Sequence, residues 1–283
     1  MRNRSRIIKK QLKYDVKNGI INQYKKFIIF TGIIVLFCLM YDQTVVNSSF
    51  IQSGTVPGFL DYITLFFRGK EELYHLSQID IFNIPIEWLV IHSYLLFVIG
   101  TYPKRDYEEH GYQFLLRAEK KSYWWLSKCI WIVVTVIFYW FLIIGTTFLF
   151  VVLKGGNIFE INKEICFYVA NVDLGTINPT QFILVVTLMP ILVFIFLCTL
   201  ELILTFLFNN IVAIIILIGY LSVSVYWCKT WLFANYTMLL RINRVPLKLG
   251  IVLLSVSYFG FMIVGYLFFQ QMDVLGRQKE KIS

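Results

Sequence analysis

Six apolar runs set the rhythm of the chain: Phe27–Val46, Ile86–Tyr102, Cys129–Leu153, Thr180–Phe208, Ile211–Trp227 and Leu249–Met272. A helix needs roughly 20 such residues to cross a hydrocarbon core, so each run reads as a membrane span. The fourth and fifth runs are joined into about 48 residues, too many for one crossing. Asn209–Asn210 interrupts them, and an Asn pair is a good tight-turn signal, so a helical hairpin is expected there. Trp124–Trp125 before the third run and Glu87–Trp88 at the start of the second read as interfacial anchors.

Ahead of the first run, Ile8, Leu12, Val16, Ile20 and Tyr24 recur every four residues, with Lys9, Lys13 and Lys17 beside the stripe. That pattern predicts an amphipathic helix lying in the membrane surface over residues 1–26. The basic stretch is too long for a cleavable signal peptide, and no small-residue cleavage site follows the first run. Two polar-flanked segments, 47–85 and 229–248, are long enough to hold structure. The second contains Trp231, Leu232, Phe233, Met238, Leu239 and Leu240, too apolar for a free loop and too short for a span. An interfacial or re-entrant helix is expected there.

Composition agrees with this reading. Of 283 residues, 58% are hydrophobic and only 15% charged, against roughly a quarter charged in a soluble domain. Mean hydropathy is +0.69. The formal net charge of +9 does not point to nucleic acid, because nine of the 26 Lys and Arg residues crowd positions 1–26 beside the first run. Six more (Lys104, Arg105, Arg117, Lys120, Lys121, Lys128) lie in 103–128, and Arg277, Lys279 and Lys281 lie in the tail. With six spans these share one side. The other side holds Arg68, Lys70, Lys154, Lys163, Lys229, Arg241, Arg244 and Lys248. The excess of positive charge places both termini in the cytoplasm of a multi-pass cell-membrane protein. The four bases of 229–248 fit that assignment least well, and were the fifth run only a re-entrant segment, that loop would move inside.

Candidate chemistry is sparse. Glu201 is the one acidic residue deep in a span, where a charge costs roughly 2.5–3.5 kcal/mol on insertion scales. It is expected to face other helices, either in a translocation path or gate or in a structural hydrogen bond. Pro190, in the same span, deletes a helical hydrogen bond and should kink the helix. His75, His92 and His110 are too scattered for a metal site, and Cys38, Cys129, Cys166, Cys198 and Cys228 form neither a zinc nor a redox spacing. No GxxxxGK[ST] phosphate loop occurs, since Gly69-Lys70 lacks both the earlier glycine and the following hydroxyl residue.

The stretch "GYQFLLRAEKKSYWWLSK", residues 111–128, interrupts the apolar runs with a basic, amphipathic segment. Tyr112, Leu115 and Leu116 fall at i, i+3 and i+4, giving a short helix an apolar edge that it cannot bury alone. A membrane surface or a partner's groove must cover it. The order Tyr102-Pro103-Lys104-Arg105-Asp106, then Gly111-Tyr112-Gln113-Phe114-Leu115-Leu116-Arg117, then Trp124-Trp125 and Lys128 resembles permease subunits of ABC-2-type transporters from Gram-positive bacteria. Asn235-Tyr236-Thr237-Met238-Leu239-Leu240-Arg241 also resembles their outer segment, and the long loop between spans one and two departs from the pattern.

The resemblance implies a single all-α transmembrane domain over 1–283. It would have an in-plane amphipathic helix, six transmembrane helices, a cytoplasmic coupling helix between spans two and three, and a short outer helical segment between spans five and six. It implies that Tyr112, Gln113, Phe114, Leu115, Leu116 and Arg117 dock on a separate ABC ATPase subunit, present in two copies. ATP and Mg would then be bound by that partner, with no cofactor in this chain and no enzymatic activity of its own. A second permease, identical or related, would complete the membrane part, and the cargo of such exporters is commonly a peptide, an antibiotic or another amphipathic molecule. A scaffold or sensor, a secondary transporter and a membrane enzyme are the competing classes. The last two would place more polar groups inside the spans than Glu201 and His92.

Overall fold

A computed structural model describes residues 2–52, 54–73, 84–111 and 121–271. Their regular structure is all helical, with no strand among them. α1 spans Arg2–Gly19, α2 Tyr24–Val46, α3 Phe59–Phe67 and α4 Ile86–Asp106. α5 spans Lys121–Lys154, α6 Lys163–Tyr168, α7 Pro179–Val186 and α8 Leu188–Leu207. α9 spans Asn210–Tyr226 and α10 Leu247–Gln271. Five stretches are long and apolar enough to cross a membrane: Ile7–Val46, Ile86–Glu109, Lys121–Lys154, Pro179–Leu207 and Leu247–Gln271. α9 is a shorter apolar helix of 17 residues, about 26 Å long at the helical rise.

α8 is the axis of the bundle and packs on α4, α5, α7, α9 and α10. The outer helices turn apolar faces away from it: Leu249, Val252, Val256, Phe259 and Ile263 of α10, with Ile28, Ile29, Leu36 and Met40 of α2, are exposed. A surface this apolar suits lipid. The reversal between α8 and α9 falls at the Asn pair, where Asn209 caps α9 by accepting the Val212 N–H at 2.8 Å. Pro190 acts earlier than a mid-span kink would suggest. It is the third residue of α8, and the helix breaks before it at Thr187 (φ −114°, ψ −71°). With no N–H, proline cannot bond the Val186 carbonyl, so the interruption lies at the turn that precedes it.

At the end of the bundle remote from α1, α3 and the segment 229–248 are folded inward. α3 buries Asp61 through Phe67. Asp61 fastens it, accepting from the Gly58 N–H at 2.8 Å, the Asn162 N–H at 2.9 Å and the Cys166 thiol at 3.5 Å. Burial pushes the Cys166 thiol up to about 12, which leaves it unreactive at neutral pH. Segment 229–248 forms two 3-10 turns, Phe233–Thr237 and Leu239–Arg241. Arg241 is fully buried, and its guanidinium donates to the carbonyls of Ser224, Val225 and Trp227. Ser224 and Val225 hold two of the last carbonyls of α9, left without partners inside the helix, and Trp227 follows its end. The same side chain reaches the Lys70 and Glu71 carbonyls after α3.

The tryptophans expected at an interface are interior. Trp88 is buried and donates to the Thr237 hydroxyl at 2.9 Å. Trp124 stacks on Phe269 at 4.8 Å, and Trp125 donates to the Met262 carbonyl at 3.0 Å. Gly265 makes the second contact possible, because a Cβ there would collide with the Trp125 ring. Gly19 opens the same kind of room for Trp131, which seats α1 against α5.

Candidate functional site

α1 places Asp15 on the side that faces α5, one turn before Gly19. α4 ends on Asp106, and α5 begins seven residues before Lys128. These three side chains meet. Lys128 Nζ lies 2.6 Å from Asp15 Oδ1 and 2.6 Å from Asp106 Oδ2. All three are buried, Asp15 and Lys128 with no exposure at all.

One ammonium facing two carboxylates leaves an excess of negative charge, and neutral donors offset it. Tyr102 donates its hydroxyl to Asp15 Oδ1 at 2.8 Å, and Ser127 donates to Oδ2 at 2.5 Å. Gln11 donates to Asp15 Oδ1 at 3.3 Å, and the Trp124 indole to Asp106 Oδ2 at 3.2 Å. The ammonium also stands 4.3 Å from the Tyr102 ring centroid and 5.0 Å from that of Trp124, a favourable cation–π geometry. Buried charge is tolerated only when it is paired and bonded in this way.

The node has a mechanical consequence. α4 runs on through a π-helical turn, Tyr107–Gly111, and α5 resumes at Lys121. Asp106 therefore stands just before segment 112–120, and Lys128 just after it. The ion pairs tie the two roots of that segment to each other and both to α1. The expected coupling residues Tyr112, Gln113, Phe114, Leu115, Leu116 and Arg117 lie outside the described residues.

The two intramembrane candidates are separate. Pro190 is at the start of α8 and Glu201 about three turns on, roughly 16 Å along the axis. Glu201 is fully buried, and neither of its oxygens has a hydrogen-bond partner. It stands against Gly100 of α4 and Asn210 of α9. His92 is structural, with Nδ1 2.7 Å from the Trp88 carbonyl and Nε2 3.2 Å from the Thr237 hydroxyl. Among the described residues no three His, Cys, Asp or Glu side chains gather where they could hold a metal.

Neither Asp15 nor Asp106 stands out in the sequence as a site residue. One signal was available: Asp15 is the sole acid among 26 residues that carry nine bases. Comparison with known families gives one match, over residues 28–275, to a protein family of unknown function. The chain belongs to the DUF2705 family. The match takes in α2 to α10, with Asp106, Lys128, Gly100, Glu201 and Asn210, and begins after α1. No curated protein and no solved structure matches the chain.

Proposed function

We propose that this DUF2705 protein is the membrane-spanning permease subunit of an ATP-driven ABC exporter. In this reading α2, α4, α5, α7–α8, α9 and α10 are six spans, with both termini in the cytoplasm of the cell membrane. The bases of 229–248 then lie outside. Arg241 among them is buried, with its guanidinium closing the end of α9. The node of Asp15, Lys128 and Asp106 lies at the cytoplasmic end.

The observation that carries the proposal is that node. A connector that merely lay along the membrane would not need its roots locked by one buried ion pair to each other and by a second to a third helix. A segment on which another protein pushes does need this, because force reaches the spans only through rigid attachments. An ABC ATPase subunit docks on 111–121, covering the apolar edge of Tyr112, Leu115 and Leu116. Two such subunits bind ATP and Mg and move two permeases, identical or related, against each other. The cargo is a peptide, an antibiotic-like molecule or another amphipathic compound, in keeping with the apolar, aromatic-rich spans.

The test is purification of tagged chain from its native membrane in mild detergent, with ATPase activity measured on the eluate. Wild type is expected to bring down an ATPase subunit, and changing Leu115 and Leu116 together to Asp is expected to release it. Eluates without ATPase activity from both proteins would overturn the reading in favour of a scaffold or sensor.

A further inference from the structure

Glu201 is the strongest anomaly in the molecule. A fully buried carboxylate would demand donors, and none reaches either oxygen. Asn210 Oδ1 is also buried and without a partner, as is the hydroxyl of Thr205 one turn along α8. A Cβ on Gly100 would collide with Glu201 Oε1 and with Asn210 Oδ1 alike. Two acceptor oxygens from two helices therefore converge on the one bare Cα that α4 offers them. Acceptors brought together without a hydrogen between them repel, and one hydrogen would satisfy both.

We propose that Glu201 binds a proton and shares it with Asn210 across Gly100, making the junction of α4, α8 and α9 a proton-binding site. In the loaded state the carboxylic O–H donates to Asn210 Oδ1. On release the proton passes to water, and the carboxylate remains. Half a turn of the Asn210 amide then presents an N–H in place of the oxygen, so the same pair holds either state. Asn210 is only part-buried and is the first residue of α9, which gives the proton its way in and out beside the α8–α9 turn.

Few other charges face the site. From α2, Lys26 acts on Glu201 electrostatically, while its ammonium donates to the Thr101 hydroxyl at 2.8 Å and the Phe97 carbonyl at 3.4 Å on α4. Arg105 of α4 acts on Lys26 in turn. On α8 itself Cys198 interacts with Glu201. α7 and α9 contain no Asp, Glu, Lys, Arg or His, and Lys248 at the start of α10 is the only such residue there. The inference stands apart from the exporter reading and needs no partner subunit.

Infrared difference spectroscopy of the full chain in lipid nanodiscs tests it. At pH 7 the wild type should show a protonated carboxyl C=O band that Glu201→Gln abolishes. Asn210→Ala should shift that band, because the acid loses its acceptor. If Glu201→Gln does not fold, the comparison of Asn210→Ala with wild type decides alone. A band that Asn210→Ala leaves unmoved, or a carboxylate band lost in Glu201→Gln in place of the acid band, would overturn the proposal.

Discussion

Lys128 answers two carboxylates at 2.6 Å each, and that imbalance decides what its loss would do. Removing one partner of a buried ion pair typically costs about 3–5 kcal/mol, because it strands the charge left behind. Lys128→Met would strand two. The variant is expected to unfold at a markedly lower temperature in detergent than wild type. The triple change Lys128→Met, Asp15→Asn and Asp106→Asn should recover most of the loss, since an amide oxygen still accepts from Tyr102 and from Trp124 and carries no charge. A triple variant no more stable than Lys128→Met would show that packing around the lysine stem, not its charge, holds the node. Apart from the lone acid Asp15 among nine bases, little of this was legible in residue patterns. Asp15, Asp106 and Lys128 are far apart in sequence, and periodicity reports only which face a residue occupies. The interior tryptophans misled for a related reason: Trp is common at interfaces, and only Gly19 and Gly265, which make room for Trp131 and Trp125, reveal where the indoles go.

At the scale of elements, length and turn chemistry located the long helices. The apolar runs correspond to α2, α4, α5, α7–α8, α9 and α10, and Asn209 caps the helix after the reversal as its residue type suggests. α3 escaped notice because nine residues are too few to read as a span, and their burial depends on tertiary contacts with α4, α5, α6 and α7. Arg241 joins this element to α9 by bonding both sets of open carbonyls. A guanidinium does so with a planar fork of five N–H donors, which an ammonium cannot match. Arg241→Lys should therefore lower the unfolding temperature nearly as far as Arg241→Ala, checked by a thermal melt. A lysine variant as stable as wild type would mean that charge alone suffices there.

For the whole molecule, the node ties together one end of a bundle whose axis is α8, and α3 with segment 229–248 closes the other. Force applied at 112–120 would reach α1, α4 and α5 together through Asp15, Asp106 and Lys128. α8 lies against both α4 and α5, so it would follow. That chain of contacts is what the exporter reading requires of a permease. The most direct measurement replaces Leu115 with a photo-crosslinking amino acid in the native membrane and identifies what is captured on illumination. The account predicts a covalent adduct with an ATPase subunit carrying a phosphate-binding loop, lost when Lys128→Met loosens the roots of the segment. Adducts with lipid alone would contradict it.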